Sequence, residues 1–460
     1  MKTTTANSYR ERASSAFRIF SLAWPNMVEN LMDTLVQYID TAMVGTLGTA
    51  ATAAVGCTST VNWLVGSSIA AVGIGFLSYI SKALGANECD KAARASAQAV
   101  LSAFVLGVLF TAVTQGAARR VPVWMKADVS IRDTAAVYFS ILYSSMLFRC
   151  AKIIFGTLLR AAGDTKTPMR AGIAMNIVNV VLNFFLIYST RTVTAAGKSF
   201  IIPGAGLGVA GAAAASAVSF VCGGVAMGTA LWRHAVISPK GKPFKPDREI
   251  LRPCLKIAVP NMCQRFCTSL GYVVFASMIN SLGEISTAAH TVANTVESAF
   301  YIPGYGMQAA VATLTGNCIG AEDGKRLKNT ADTAVLIEAL MMTVSGGLLF
   351  AFAPNMVSLF SKDEGVIALG STVLRMVAVS EPFYGISVVT EGMLQGAGLT
   401  KKPFLFNVVC MWGIRILGTF VCINIFDAGL AAAWGCMIAD NLVLLVMFRK
   451  YWQREYPQLC

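Results

Sequence analysis

The sequence predicts an all-α integral membrane protein of twelve transmembrane helices, built as two six-helix bundles related by a parallel internal repeat. Three observations carry that prediction. Of 460 residues, 55% are hydrophobic and only 13% charged, at a mean hydropathy of +0.61, whereas soluble domains are about 25% charged. Apolar stretches long enough to cross a bilayer recur at 16–45, 50–80, 93–117, 131–157, 169–189, 205–231, 252–281, 286–314, 330–354, 366–394, 404–426 and 428–449. Finally, the two halves of the chain match at a constant offset of about 235 positions.

That offset pairs Pro25 with Pro260 and Asn26 with Asn261. It also pairs Gly48 with Gly283, Thr52 with Thr287 and Gly85 with Gly320. At the fourth loop it still aligns Gly163 with Gly398, Thr165 with Thr400, Lys166 with Lys401 and Pro168 with Pro403. Chance matching of Ala- and Leu-rich helices does not keep Pro, Gly and Asn in register this far without a gap. Six spans per half is an even number, so both halves share one orientation, with a transport path between two bundles. The predicted organisation is an N-terminal bundle over 1–232, a basic linker over 233–256 and a C-terminal bundle over 257–460.

The net charge of +13 raises nucleic-acid binding, but the placement of the charges argues against it. Roughly 25 of the Lys and Arg residues fall in the two tails and the even-to-odd loops, against roughly 7 in the intervening loops. By the positive-inside rule both termini are cytoplasmic, in a plasma membrane or a bacterial inner membrane. The Pro-rich linker, with Lys240, Lys242, Lys245, Arg248 and Arg252, then faces anionic membrane lipid and needs no nucleic acid. The polar N-terminus through Ser15 has no small-residue cleavage site, which predicts no removable signal peptide.

The first span is apolar, yet it carries Glu29, Asp33 and Asp40. On a helix these acids share an arc of roughly 100° with Asn26, Asn30 and Gln37. A charge near the bilayer centre costs about 3 kcal/mol, so this stripe lines a protein interior or a water-filled cavity. Either the acids form salt bridges to neighbouring helices or they make a cation or proton site. No basic residue shares the helix between Trp24 and Gly48, and three acids exceed what packing requires, so the second is adopted.

Span five places Asn176, Asn179 and Asn183 within an arc of roughly 60°. Each is either interhelical glue or, beside a carboxylate, an oxygen donor for a hard cation or an ordered water. The repeat breaks here: the counterparts of Glu29, Asp33 and Asp40 are Gln264, Thr268 and Phe275, and those of the asparagines are Met411, Ile414 and Gly418. The second half has its own possible polar site in Gln264, Glu297, Glu381, Glu391 and Arg415. Arg265, Arg375 and Arg415 are expected to neutralise its acids, with Asp440 of the last span joining them.

Several chemistries find no support. Twelve Cys are scattered without a CxxC pair, and Cys263 and Cys267, one helical turn apart, have no His near them in sequence. They read as thiols facing lipid or core. With only His234 and His290 available, neither a zinc site nor a nucleophile–His–acid set is expected. Gly206, Gly208 and Gly211 satisfy a GxGxxG spacing without a preceding strand, and so read as helix packing. Gly197, Lys198 and Ser199 end like a phosphate loop, but Thr192 stands where its first Gly belongs. No enzyme activity, metal or cofactor is expected.

The pattern resembles the multidrug and toxic compound extrusion (MATE) family of secondary transporters. The resemblance is carried by the Pro25 entry to the first helix, the segment Asp40 to Gly45, and the paired loops around Gly163 and Gly398. Asn179 and Asn183, and the stretch Val292 to Ser298 before Tyr301 to Gly304, carry it too. It covers nearly the whole chain. It implies two six-helix bundles in a V that export organic cations in exchange for protons or sodium, with Asp40 as the coupling carboxylate near Asn179 and Asn183. There are departures: some members have Asp where Asn183 stands, and the positions of further acids in sodium-coupled members are near Thr268 and Tyr384. Protons are therefore preferred over sodium.

On this reading Asp40 takes a proton from outside and releases a cationic, amphipathic substrate as the bundles rearrange about a hinge at Pro25. Glu29, Asp33, Gln37 and Asn176 line the substrate cavity. The protein is expected to act as a monomer. The rival reading is a lipid-linked oligosaccharide flippase of the same superfamily, for which Arg149 and Lys152 argue and the acidic stripe argues against.

Overall fold

The structure, a computed structural model, describes residues 2–125, 127–195 and 198–459, without the side chains of 2–12 and 191–202. Gly197 and the side chains of Thr192, Lys198 and Ser199, from the discounted phosphate-loop match, lie outside the described residues. The helices are α1 Lys2–Gly45, α2 Thr49–Gly85, α3 Cys89–Ala117, α4 Val121–Trp124, α5 Val129–Ser144, α6 Met146–Ala161, α7 Lys166–Leu186 and α8 Gly208–Arg233 in the first half. The second half has α9 Arg248–Asn280, α10 Glu284–Phe300, α11 Ile302–Gly320, α12 Gly324–Ser358, α13 Glu364–Gly396, α14 Lys401–Val409, α15 Leu417–Asn424 and α16 Leu430–Glu455.

Among the described residues, eight segments are individually long and apolar enough to cross a membrane, and the α5–α6 pair, bent by 52°, makes a ninth. The other three predicted spans miss that combination of length and hydropathy, two of them through polarity alone. They are α1 with its acids, α9 with Gln264 and Arg265, and α10–α11, which breaks at Tyr301. Twelve helical passes are consistent with this order. Between α14 and α15 the chain stays helical but loosens to a π-helix over Cys410–Ile416, a local widening that often marks a functional or strained position. One non-helical element was not anticipated. Strands β1 Ser189–Ala195 and β2 Lys198–Ala205 pair antiparallel, with Ser189 opposite Ala205 and Val193 opposite Phe200. Thr is frequent in β1 and Ile occurs twice in β2, and β-branched residues suit a strand.

By internal contacts the chain divides into two compact units, one of Val28–Phe76 and Cys89–Leu251, the other of Met1–Met27, Leu77–Glu88 and Arg252–Cys460. The division does not follow the halves of the repeat. It falls in α1 just past Pro25, although the helix itself continues through that residue. Pro25 has no N–H to give to the preceding turn, and the next residue, buried Asn26, donates its side-chain amide to Leu22 O at 3.1 Å.

In the unit of Val28–Phe76 and Cys89–Leu251, α8 packs closely on α6 and α7. Glycines allow this approach. A Cβ on Gly224 would lie 2.5 Å from Phe148 O, and one on Gly211 would lie 2.4 Å from Leu186 O. The GxGxxG spacing is thus part of a helix contact. The basic linker is not loose in this unit. Gln98 donates to Lys245 O (2.8 Å) and accepts from Asp247 N (3.1 Å), Arg94 pairs with Asp247 at 2.6 Å, and Lys242 pairs with Asp90. Trp232 stacks on Phe244.

In the other unit α13 packs against α12, α16 and α11. Its apolar core runs through Phe275, Val373, Leu374 and Trp434, with a second cluster around Ile19, Met307, Met393 and Trp452. The end of α2 joins it by side-chain bonds to the α13 terminus: Ser78 Oγ donates to Gly396 O (2.9 Å) and Lys82 Nζ to Ala397 O (2.8 Å). Bare backbone at Gly320 lets Lys82 O come so near that a Cβ would sit 1.9 Å from it. Along α12, Leu336, Leu340, Val344, Leu348 and Phe352 are exposed. Their spacing of four makes one apolar stripe, the surface a helix shows to lipid.

Candidate functional site

The polar layer of the first unit forms where the acidic stripe of α1 meets α6 and α7. On α6, Arg149, Lys152 and Arg160 share one face by helical spacing. Glu29, only 4% exposed, takes an ion pair from Arg160 at 2.6 Å. Asp33 takes Lys152 at 3.5 Å and accepts from Asn176 Nδ2 at 2.8 Å. These two acids therefore follow the salt-bridge reading, which corrects the expectation that the whole stripe is one ion site. The bases that neutralise them sit more than a hundred residues away, where α1 alone cannot reveal them.

Asp40 is different. Asn183 Nδ2 donates to its Oδ1 at 2.5 Å. Asn179, turned so that its oxygen accepts from Ser216 Oγ (3.2 Å), donates to both Asp40 oxygens at 2.8 and 3.2 Å. An amide facing a carboxylate must present its nitrogen, which decides that orientation. No basic residue lies within ion-pair distance of Asp40 among the described residues. Asn183 Oδ1 is buried with no hydrogen-bond partner among them. The structure thus brings together Asp40, Asn179 and Asn183, the three residues singled out from the sequence. Asn176 belongs to the Asp33 pair instead, and Gln37, exposed on α1, stays outside the cluster.

The second-half residues separate into groups. Glu391 accepts from Gln264 Nε2 (2.7 Å), Gln395 (3.3 Å) and Gln308 (3.4 Å). Arg415, on the π-helical turn, pairs with Asp440 at 2.8 Å, donates to Asn441 and lies over the Tyr272 ring. The expected neutralisation of Glu297, Glu381 and Glu391 by arginine therefore takes another form, because Asp440 holds Arg415 while Arg375 lies over the Phe350 ring. Glu297 and Glu381 are almost fully buried. Beside them stands Glu338, which sequence reasoning missed. It is fully buried too, and neither its carboxyl oxygens nor those of Glu381 have a hydrogen-bond partner among the described residues. Glycine makes the room: a Cβ on Gly385 would meet Glu338 Oε1 at 2.7 Å. A lone acid within an apolar span was the available signal.

Comparison with known proteins agrees with this architecture. The sequence profile of the MatE family matches twice, over residues 25–185 and 260–421. The second match begins at Pro260, the repeat partner of Pro25. The chain is 28% identical over 444 residues to a protein of Thermotoga maritima called a probable multidrug resistance protein NorM, covering 95% of this chain and 93% of that one. It is 22% identical over 373 residues to the multidrug export protein MepA of Staphylococcus aureus, covering 81% and 79%. Among solved structures it resembles a multidrug resistance MATE family transporter of the MOP superfamily in an outward-facing conformation, with a TM-score of 0.88 at 22% identity over 97% of this chain and 96% of that one. A MOP superfamily transporter of Pyrococcus furiosus, described as having a binding pocket of reverse polarity that suggests a different function, gives 0.87 at 22% identity over 97% and 96%.

Proposed function

The chain belongs to the MatE family of multi-pass membrane transporters, and from that premise we propose that it is a secondary antiporter exporting cationic, amphipathic organic compounds in exchange for protons. The observation that carries this reading is the state of Asp40, the one acid of the α1 stripe held by amides and by no base. A carboxylate so placed can exchange partners without leaving a buried cation behind. It binds either the ammonium of a substrate or a proton, and each arrival dismisses the other. Such competition for one group is what antiport requires, provided the two occupied forms favour different conformations.

Glu29 and Asp33, already neutralised by Arg160 and Lys152, hold α1 in place. The names of the relatives, multidrug resistance and multidrug export, support organic amphiphiles as cargo. Sodium is the weaker reading. A hard cation needs several oxygen ligands, whereas Asn179 and Asn183 turn N–H groups to Asp40; the free Asn183 Oδ1 is the one feature sodium could use. The basic row on α6 would suit a flippase handling a pyrophosphate, but two of its three charges are taken by acids. We further read the protein as a carrier without catalysis, in a plasma or bacterial inner membrane, with both termini and the basic linker on the cytoplasmic side.

The test is export of a fluorescent organic cation from inverted proteoliposomes, with a proton gradient or a sodium gradient imposed separately. Export is expected with the proton gradient and reduced to background in Asp40→Asn. Undiminished, pH-dependent export by Asp40→Asn would sink the proposal.

A further inference from the structure

The pairing of α1 with α6 leaves a remainder. Numbers rise along α1 as they fall along α6: Glu29 meets Arg160 and Asp33 meets Lys152. The next base of the row is Arg149, and at its level α1 offers no acid. The next acid is Asp40, which α7 holds by amides. The two stripes are out of step by one charge, leaving one anion and one cation without a counter-charge in the same polar layer.

Arg149 is only 8% exposed, and a buried charge is costly unless matched. Its guanidinium donates to Asn62 Oδ1 (2.5 Å) and Asn62 O (3.3 Å) on α2, and its Cζ stands 5.1 Å from the Phe220 ring and 6.0 Å from the Tyr143 ring. Those groups are neutral, and no carboxylate lies within ion-pair distance among the described residues. The Tyr143 hydroxyl, fully buried beside it, can take a bond from the Arg149 guanidinium but finds no acceptor for its own proton among the described residues. The guanidinium has only neutral acceptors and the hydroxyl has none, and the acceptor that fits a guanidinium best is a carboxylate. Glycine again makes space, since a Cβ on Gly66 would press on Arg149 Nη2 at 3.0 Å.

We propose that Arg149, with Tyr143, binds a carboxylate of the exported compound, and that the favoured cargo is a zwitterionic amphiphile whose ammonium goes to Asp40. This rests on the reading of Asp40 as the cation-binding group. It adds that a purely cationic compound leaves Arg149 unmatched.

The experiment is equilibrium binding to the purified, detergent-solubilised protein, followed by fluorescence polarisation. The probes are a zwitterionic rhodamine with a free carboxyl group and its cationic methyl ester, which share one chromophore. Wild type should bind the free acid about tenfold or more tightly than the ester, the worth of a charge-assisted hydrogen bond. Arg149→Gln should weaken the acid to the level of the ester and leave the ester within about twofold of wild type, while Arg149→Lys should keep part of the preference. Asp40→Asn should weaken both probes alike. If it weakens neither, the Asp40 reading fails while the acid-to-ester ratio still reports on Arg149. The proposal is overturned if wild type binds the ester as tightly as the acid, if neither probe binds, or if Arg149→Gln weakens both probes equally, as a merely structural arginine would.

Discussion

The two halves of the repeat handle buried charge in opposite ways. In the first half the acids of α1 are met by bases from α6 and amides from α7: Glu29 by Arg160, Asp33 by Lys152 and Asn176, Asp40 by Asn179 and Asn183. In the second half one tight pair, Arg415 with Asp440, stands apart from carboxyls that have no charged partner, above all Glu338 and Glu381. Equivalent helices carry these differences. The helix that presents the asparagines is regular in the first half, and its counterpart is broken into a π-turn at Cys410–Ile416 from which Arg415 reaches α16. A duplicated fold thus keeps its glycine and proline framework while its polar interior diverges.

If that contrast is right, the largest stability effect belongs to the second-half pair. Arg415 and Asp440 are both almost wholly buried, so Arg415→Met should lower stability by about 3–5 kcal/mol, the cost of a stranded buried charge. The double variant Arg415→Met with Asp440→Leu should recover most of it. A thermal unfolding series in detergent reads both, and a double variant as unstable as the single one would show that packing, not charge, is at stake. In the first half, Glu29→Gln should cost less, about 1–3 kcal/mol, because Arg160 keeps some exposure and can turn toward solvent.

Replacing a buried carboxyl that has no partner should matter less again. Glu338→Gln is expected to change stability by less than about 1 kcal/mol, since no bond is lost. Filling the space beside it is another matter. Gly385→Ala would drive a methyl to 2.5 Å from Met342 Cγ and 2.7 Å from Glu338 Oε1, an overpacking worth about 1–3 kcal/mol. Stability in both variants settles whether Glu338 is tolerated or bonded: a large loss in Glu338→Gln would mean a partner that the contrast between the halves denies.

The smallest expected effect lies in the linker. His234 Nδ1 accepts from Val236 N (3.2 Å) and Ile237 N (3.3 Å), so this turn needs the neutral imidazole. Partial burial pushes the His234 pKa below the ordinary imidazole value, with Asp164 opposing. A depressed folded value means that the contribution is present above the ordinary imidazole range and lost as pH falls through the folded value. Hydrogen-exchange protection of the Val236 and Ile237 amides should therefore drop between about pH 7 and pH 5. Equal protection at both ends would remove His234 from the account.

Much of this was legible in the chain itself, for a definable reason. The spans, the repeat and the stripes of α1 and α7 are periodic, and periodicity follows from helix geometry alone. The stripes and their unlike repeat partners marked Glu29, Asp33 and Asn176 as much as Asp40, Asn179 and Asn183; only the resemblance to the MATE family implied the last three as one site. Glu338 was marked by neither, because a single acid in an otherwise apolar span has no period. The β1–β2 hairpin and the docking of the linker through Gln98, Arg94 and Trp232 also gave no periodic signal.

By itself, then, the sequence determined the membrane class, the duplication, the order of the helices and the face each polar residue occupies. Which acid is matched by which base was decided only by the tertiary structure. Glu29 and Asp33 look no different from Asp40 along α1; what separates them is that α6 brings Arg160 and Lys152 within 4 Å of the first two and none of its bases that near Asp40. Charge pairing depends on distances of a few ångströms across helices far apart in sequence. Helical phase says which way a side chain points, and only packing says what it meets.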